Sequence, residues 1–253
     1  MTAPRFANKI ALITGGAVGL GQAFARALAA EGADVAIAEI DMDGAQRTVA
    51  ELTATGARAI AVPCDVADER QVDRAVDTVV EKLGGIDLLI NNAGRHLMKY
   101  NQPFGVLSRD DLRAMFDVNI MGVVNCTLAC RDSMRDRGGG VVINMSSTAG
   151  FLSGTPYGVS KLAVRGLTVA FAAELSPDLI RVNALAPGLT NTQSALADVP
   201  RSLIDGYVEE LQLVHRICTM DDVVAAMLYL CSDEASFITG ETLKVSGGYP
   251  LSV

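Results

Sequence analysis

Only two histidines are present, His96 and His215, and they stand far apart in the chain. That spacing assembles no zinc site from them, so metal catalysis is not expected. Five cysteines (Cys64, Cys126, Cys130, Cys218 and Cys231) form no Cys-x-x-Cys pair. An odd number of them, without an export signal, reads as reduced thiols packed as small hydrophobes. Basic runs are absent too: 21 Lys and Arg stand against 29 Asp and Glu, a net charge of −8, which argues against a nucleic-acid partner. The longest notable apolar stretch, residues 223–231, is too short to span a bilayer. Residues 1–8 lack the charged-then-apolar pattern of a signal peptide. These absences lead us to expect a cytoplasmic protein with a small-molecule partner, no metal, no nucleic acid and no membrane.

What is present is apolar and rhythmic. Half of the 253 residues are hydrophobic, enough for one large core and too many for disorder. Short apolar runs at residues 9–14, 34–39, 58–64, 86–90, 141–144, 180–186 and 242–245 read as strands. Helical spacing falls between them, at 43–54, from Asp68 to the glycines at 84 and 85, at 108–134, from Tyr157 onward and at 220–231. Thr219 with Asp222 three residues later marks the start of the last helix. Residues 189–216 have patchy apolar spacing and are read as a lid over the site. With no linker or repeat, the expectation for 1–253 is a single α/β domain. Its parallel sheet of about seven strands is doubly wound, with helices on both faces and ligands at the carboxyl edge.

The chemistry-bearing residues gather at that edge. Thr14-Gly-Gly-Ala-Val-Gly-Leu-Gly21 lies between a strand and a helix. Glycines at 15, 19 and 21 let the backbone pass close to an anion at the helix N-terminus; a ligand-free tight turn is the alternative. Glu39 ends the second strand, where a carboxylate accepts hydrogen bonds from the adenosine ribose of NAD and repels the extra phosphate of NADP. A solvated strand-end charge is the other reading. Asn91-Asn-Ala-Gly94 follows the fourth strand, and Ala93 and Gly94 offer a bare surface for a flat ring. Asn119, in the middle of a long helical stretch, is an indifferent helix former that either bonds the core or holds a water. Tyr157 and Lys161 stand one helical turn apart on one face. An ammonium beside a phenol favours its anion, so the Tyr157 pKa is expected to fall towards the operating pH. Such a tyrosine gives and takes protons, as interconverting an alcohol and a carbonyl requires. Ser146 and Ser147 end the preceding strand, where either presents a hydroxyl to that site. His96 is read as solvated or as touching substrate.

Taken together, Thr14-Gly15…Gly19-x-Gly21, Asn91-Asn-Ala-Gly94, Asn119, Ser147 with Tyr157-x-x-x-Lys161, Pro187-Gly188 with Thr192, and the closing segment to Gly248 resemble the short-chain dehydrogenase/reductase family over nearly the whole length. The resemblance implies a Rossmann-like fold with Tyr157 as general acid/base and Ser147 bonding the substrate oxygen. It gives Lys161 the nicotinamide ribose and the lowering of the tyrosine pKa, and Asn119 a water in the proton relay. It also implies cofactor contacts at Gly15, Gly19, Leu20, Gly21, Glu39, Asp65, Val66, Asn91, Ala93, Gly94, Pro187, Gly188, Thr190 and Thr192. Asp65 would face the adenine and Thr192 the nicotinamide amide. A homotetramer is implied by resemblance alone, through the long helix near Asn119 and the one after Tyr157. The segment between Ser147 and Tyr157 is shorter than is usual for the family.

The function expected is hydride transfer between NAD(H) and a small, mainly apolar secondary alcohol or ketone, cyclic ones included. An NADPH-dependent reductase of 3-oxoacyl thioesters, or of another biosynthetic ketone, is the alternative within enzymes. A non-catalytic dinucleotide-binding regulator is the alternative outside them.

Overall fold

The computed structural model describes residues 4–96 and 98–251; residues 1–3, part of the segment examined for an export signal, lie outside them. Seven strands form one sheet: β1 (Ile10–Thr14), β2 (Asp34–Glu39), β3 (Ala59–Pro63), β4 (Leu88–Asn91), β5 (Gly140–Met145), β6 (Ile180–Pro187) and β7 (Thr242–Val245). All pairs are parallel, in the order β3-β2-β1-β4-β5-β6-β7. The helices are α1 (Gly19–Ala30), α2 (Met42–Ala54), α3 (Glu69–Leu83), α4 (Arg109–Phe116), α5 (Gly122–Asp136), α6 (Ala149–Leu152), α7 (Pro156–Glu174), α8 (Gln193–Asp198), α9 (Arg201–Gly206) and α10 (Met220–Cys231).

The alternation of strand side chains decides the layering. Ala11 and Ile13 of β1 join one apolar cluster with Phe24 and Leu28 of α1, Leu52 of α2 and Met227 of α10. Ile10 and Leu12 join the other, with Val76 and Val79 of α3, Cys130 of α5 and Phe171 of α7. Both faces of the sheet are therefore covered, as a parallel sheet requires. The strand order reverses between β1 and β4, so the loops after Thr14 and Asn91 part there and leave a crevice. Among the described residues no helix is long and apolar enough to cross a membrane.

Two helical stretches depart from simple periodicity. The spacing predicts one helix across 108–134, whereas the structure divides it into α4, a π-helical turn at Asp117–Met121, and α5. A π turn inside a helix admits one extra residue and often accompanies a functional site. Residues 189–216 hold α8, α9 and a second π turn, Tyr207–Leu211.

Candidate active site

The glycine turn is shaped by close approach. Gly15 and Gly19 have φ of 68° and 62°, the left-handed region that costs other residues strain. A Cβ on Gly21 would fall on the Gly15 carbonyl oxygen. Asn92 closes the turn from the far side of the crevice: its Nδ2 donates to the Thr14 and Gly15 carbonyls at 3.0 and 2.8 Å. Thr14 Oγ1 in turn accepts the N–H groups of Asn92 and Ala93, both at 3.0 Å. The Asn91-Asn-Ala-Gly94 pattern contains Asn92 without separating its part from that of Asn91. The only sequence signal for it is a second Asn beside the first. Leu20 packs onto the apolar cluster beneath the turn.

Glu39 reaches back to the same turn. Its carboxylate accepts the Ala17 N–H at 3.2 Å and those of Ile40 and Asp41 at 2.9 and 3.3 Å. Beyond β3, Asp65 accepts the Ala67 N–H at 3.0 Å, and the Val66 carbonyl accepts Asn125 Nδ2 at 2.9 Å. Asn91 is turned into the seam below, where its Nδ2 donates to Thr127 Oγ1 and Asn144 Oδ1 at 3.1 and 2.9 Å. On the opposite rim the Pro187 carbonyl accepts Thr148 N–H at 3.1 Å, and Gly188 N–H donates to the Val245 carbonyl at 2.9 Å. Thr190 Oγ1 donates to the Gly188 carbonyl at 3.1 Å. Thr192 caps α8, and its methyl lies 4.0 Å from where a Gly19 Cβ would stand. The left-handed glycines, the missing Cβ at Gly94 and the carboxylate at the end of β2 fit a dinucleotide laid along this edge.

The proton-handling residues meet where β5 hands over to α7. Thr155 caps α7 by accepting Gly158 N–H at 3.1 Å, and Pro156 opens the helix, which puts Tyr157 in its first turn. Ser146 and Ser147 now separate. Buried Ser146 donates to the Lys161 carbonyl at 2.9 Å, while Ser147 Oγ accepts the Ala149 N–H at 3.2 Å and its hydroxyl lies on the Tyr157 phenol side. The short α6 packs tightly on α7, since a Cβ on Gly150 would lie 2.7 Å from the Lys161 carbonyl carbon. The abbreviated Ser147–Tyr157 segment is thus a compact helix that keeps the serine against the tyrosine.

Charge tuning runs opposite to the expectation from spacing. Burial pushes the Tyr157 phenol up to about 12, with the Ser147 hydroxyl acting against it. Burial also draws the Lys161 ammonium down to about 8. Lys161 Nζ donates to the Met145 carbonyl at 2.7 Å and stands 5.8 Å from the centre of the Tyr157 ring. A backbone dipole therefore holds the cation, and loss of hydration is the leading cause of both shifts.

Asn119 lies buried in the π turn. Its Oδ1 accepts Arg95 N–H at 2.7 Å, and its Nδ2 donates to the Arg95 carbonyl at 3.1 Å and to Ser160 Oγ at 3.0 Å. These bonds are the core hydrogen bonding that its mid-helix position called for, and they take both amide hydrogens. His96 lies at the mouth, with Nε2 3.2 Å from Ser194 Oγ of α8 and Nδ1 3.4 Å from the Gly94 carbonyl. The Met98 N–H also bonds Asp198 of α8.

A sequence model of the family described as enoyl-(acyl carrier protein) reductase matches residues 15–250. The rat dehydrogenase/reductase SDR family member 4 is 37% identical over 250 residues, spanning 96% of this chain and 88% of its own. The chain belongs to the short-chain dehydrogenase/reductase family. Among other short-chain dehydrogenase/reductase relatives, the 3alpha-hydroxysteroid dehydrogenase of Mediterraneibacter gnavus is 36% identical over 246 residues, 95% of this chain and 96% of that one. A 7 alpha-hydroxysteroid dehydrogenase solved with NADH and 7-oxo glycochenodeoxycholic acid superimposes with a TM-score of 0.90 at 30% identity, covering 97% of this chain and 96% of that chain. The present protein is thus an oxidoreductase of a family that binds nicotinamide dinucleotides.

Proposed function

We propose that this protein is an NAD-dependent alcohol dehydrogenase or ketone reductase acting on mainly apolar, ring-bearing secondary alcohols. The observation that carries the reading is the Lys161 ammonium 5.8 Å from the centre of the Tyr157 ring at the sheet's carboxyl edge, with the Ser147 hydroxyl on the side of the phenol. In this reading Tyr157 hands a proton to, or takes it from, the substrate oxygen, and Ser147 donates a hydrogen bond to that oxygen. Lys161 supplies positive charge beneath the phenol, and Asn119 keeps the β4 loop and the π turn in register. When bound, a nicotinamide ring supplies the carbon that accepts or gives the hydride.

Gly15, Gly19, Leu20 and Gly21 would flank the pyrophosphate, and Asp65 and Val66 the adenine. Asn91, Ala93 and Gly94 would line the central ribose region, the side chain of Asn91 remaining in the sheet. Pro187, Gly188, Thr190 and Thr192 would lie by the nicotinamide. Glu39 favours NAD, because a carboxylate accepts from ribose hydroxyls and repels a phosphate placed there. The similarity to two hydroxysteroid dehydrogenases supports a bulky alicyclic substrate. Residues 189–216 act as its lid, touching the β4 loop through His96 and Ser194. Exposed Leu128 on α5 and Leu162 and Val169 on α7 support a homotetramer built on these helices.

The test is turnover of NAD with a panel of secondary alcohols that includes hydroxysteroids, followed by NADH absorbance. Turnover with NAD supports the reading; none across the panel with either NAD or NADP overturns it.

A further inference from the structure

Ser160 stands between the tyrosine and the lysine in sequence and is fully buried, at 0% exposure. Its hydroxyl donates to the Tyr157 carbonyl at 2.7 Å, a bond within one helical turn that serines often make. Its acceptor side is not local: Asn119 Nδ2, from the π turn, donates to Ser160 Oγ at 3.0 Å. The Asn119 amide in turn grips both the N–H and the carbonyl of Arg95, just beyond β4. One hydroxyl therefore joins three elements: the first turn of α7, the π turn and the β4 loop.

The join reaches the reacting groups. A Cβ on Gly94 would stand 3.3 Å from Asn119 Oδ1 and 3.5 Å from Lys161 Nζ, so Asn119 and Lys161 border the same small space. With Ser160 removed, Asn119 Nδ2 loses one of its two acceptors, and only the paired bonds to Arg95 still orient the amide. The side-chain hydrogen bond from the π turn to the turn of α7 that carries Tyr157 is then gone.

We propose that Ser160 is a positioning residue that acts through Asn119, its hydroxyl locking the Asn119 amide to the main chain of Tyr157 so that the tyrosine, the lysine and the β4 loop keep one register. The role rests on the dehydrogenase reading above and adds to it a residue that touches neither substrate nor cofactor.

The test compares wild type, Ser160→Ala, Asn119→Ala and the double variant on an alcohol that the wild type oxidises. Misplacement of reacting groups predicts that Ser160→Ala lowers kcat by about tenfold to a hundredfold while KM and the NADH dissociation constant stay within about twofold. In the Asn119→Ala background the same change is expected to add nothing, whereas a fully additive loss overturns the proposal. Ser160→Cys, close in shape but a weak acceptor, takes the same measurements should Ser160→Ala fail to fold. A second readout needs no activity: hydrogen exchange at the Arg95 amide, which Asn119 Oδ1 holds, should quicken in the Ser160 variant. Unchanged exchange overturns the coupling. A wild type inactive on every alcohol refutes the dehydrogenase reading and leaves the exchange measurement to decide on Ser160.

Discussion

Gly94 stands directly against Lys161: a methyl group added to the glycine would lie 3.5 Å from the ammonium nitrogen and 3.3 Å from Asn119 Oδ1. The second distance is tighter than ordinary packing, so Asn119 must give way by a few tenths of an ångström. Gly94→Ala is therefore expected to lower kcat by about tenfold through the displaced amide, with the unfolding temperature nearly unchanged. Steady-state kinetics beside a thermal melt check both halves.

Gly21 tolerates less. A Cβ there would overlap the Gly15 carbonyl oxygen and crowd Asn92 Nδ2, the bond that closes the glycine turn. Gly21→Ala should cost about 1–3 kcal/mol of stability and abolish NADH binding. Gly105→Ala, at a site with nothing within 4 Å, is the control expected to stay neutral. Denaturant unfolding and NADH fluorescence titration provide the measurements.

Glu39 joins the end of β2 to the Ala17 N–H of the glycine turn. Glu39→Ala is expected to weaken NAD binding about tenfold, the loss of one or two hydrogen bonds to a charged group, and to narrow the preference over NADP. Tighter binding of NADP than of NAD by the wild type would sink the cofactor assignment.

The two buried titratable groups each set a pH trend, one in activity and one in stability. A phenol at about 12 is protonated at neutral pH, so alcohol oxidation, which needs it as a proton acceptor, should speed up with rising pH. Ketone reduction, which needs the proton, should not. Lys161 is lowered from 10.5 to about 8 in the folded protein, so between those values the unfolded chain binds more protons and stability rises with pH. Relative to Lys161→Met, the wild type should gain roughly 3 kcal/mol across that window. Urea unfolding of both proteins at a series of pH values tests it; a flat difference would contradict the burial of the ammonium.

Leu128, Leu162 and Val169 leave apolar side chains exposed on α5 and α7. Sedimentation is expected to give a tetramer, and Val169→Asp to shift it towards smaller species. A wild-type monomer refutes the assembly.

Local signals carried much of the architecture. The helix expected at 220–231 has those bounds in the structure, because Thr219 and Asp222 form a reciprocal cap within four residues. Strand positions followed from short apolar runs, and the doubly wound form from their alternation with helices, whereas the place of the reversal, between β1 and β4, came from the structure. The break at Asp117–Met121 was not legible, since no local pattern announces that Asn119 will bond Arg95 and Ser160. Nor was the choice between Ser146 and Ser147 open to spacing, because it turns on which hydroxyl the Lys161 carbonyl captures.

By itself the amino-acid order determined a doubly wound sheet, a glycine turn with an acidic residue after it, and a tyrosine and lysine on one helical face. These are consequences of periodicity and of backbone freedom, which act over a few residues. Only the tertiary structure decided the sign of the tyrosine's shift, the partner of each serine and the roles of Asn92 and Ser160. Each of these depends on hydration lost, or hydrogen bonds formed, between segments that the chain brings together only on folding.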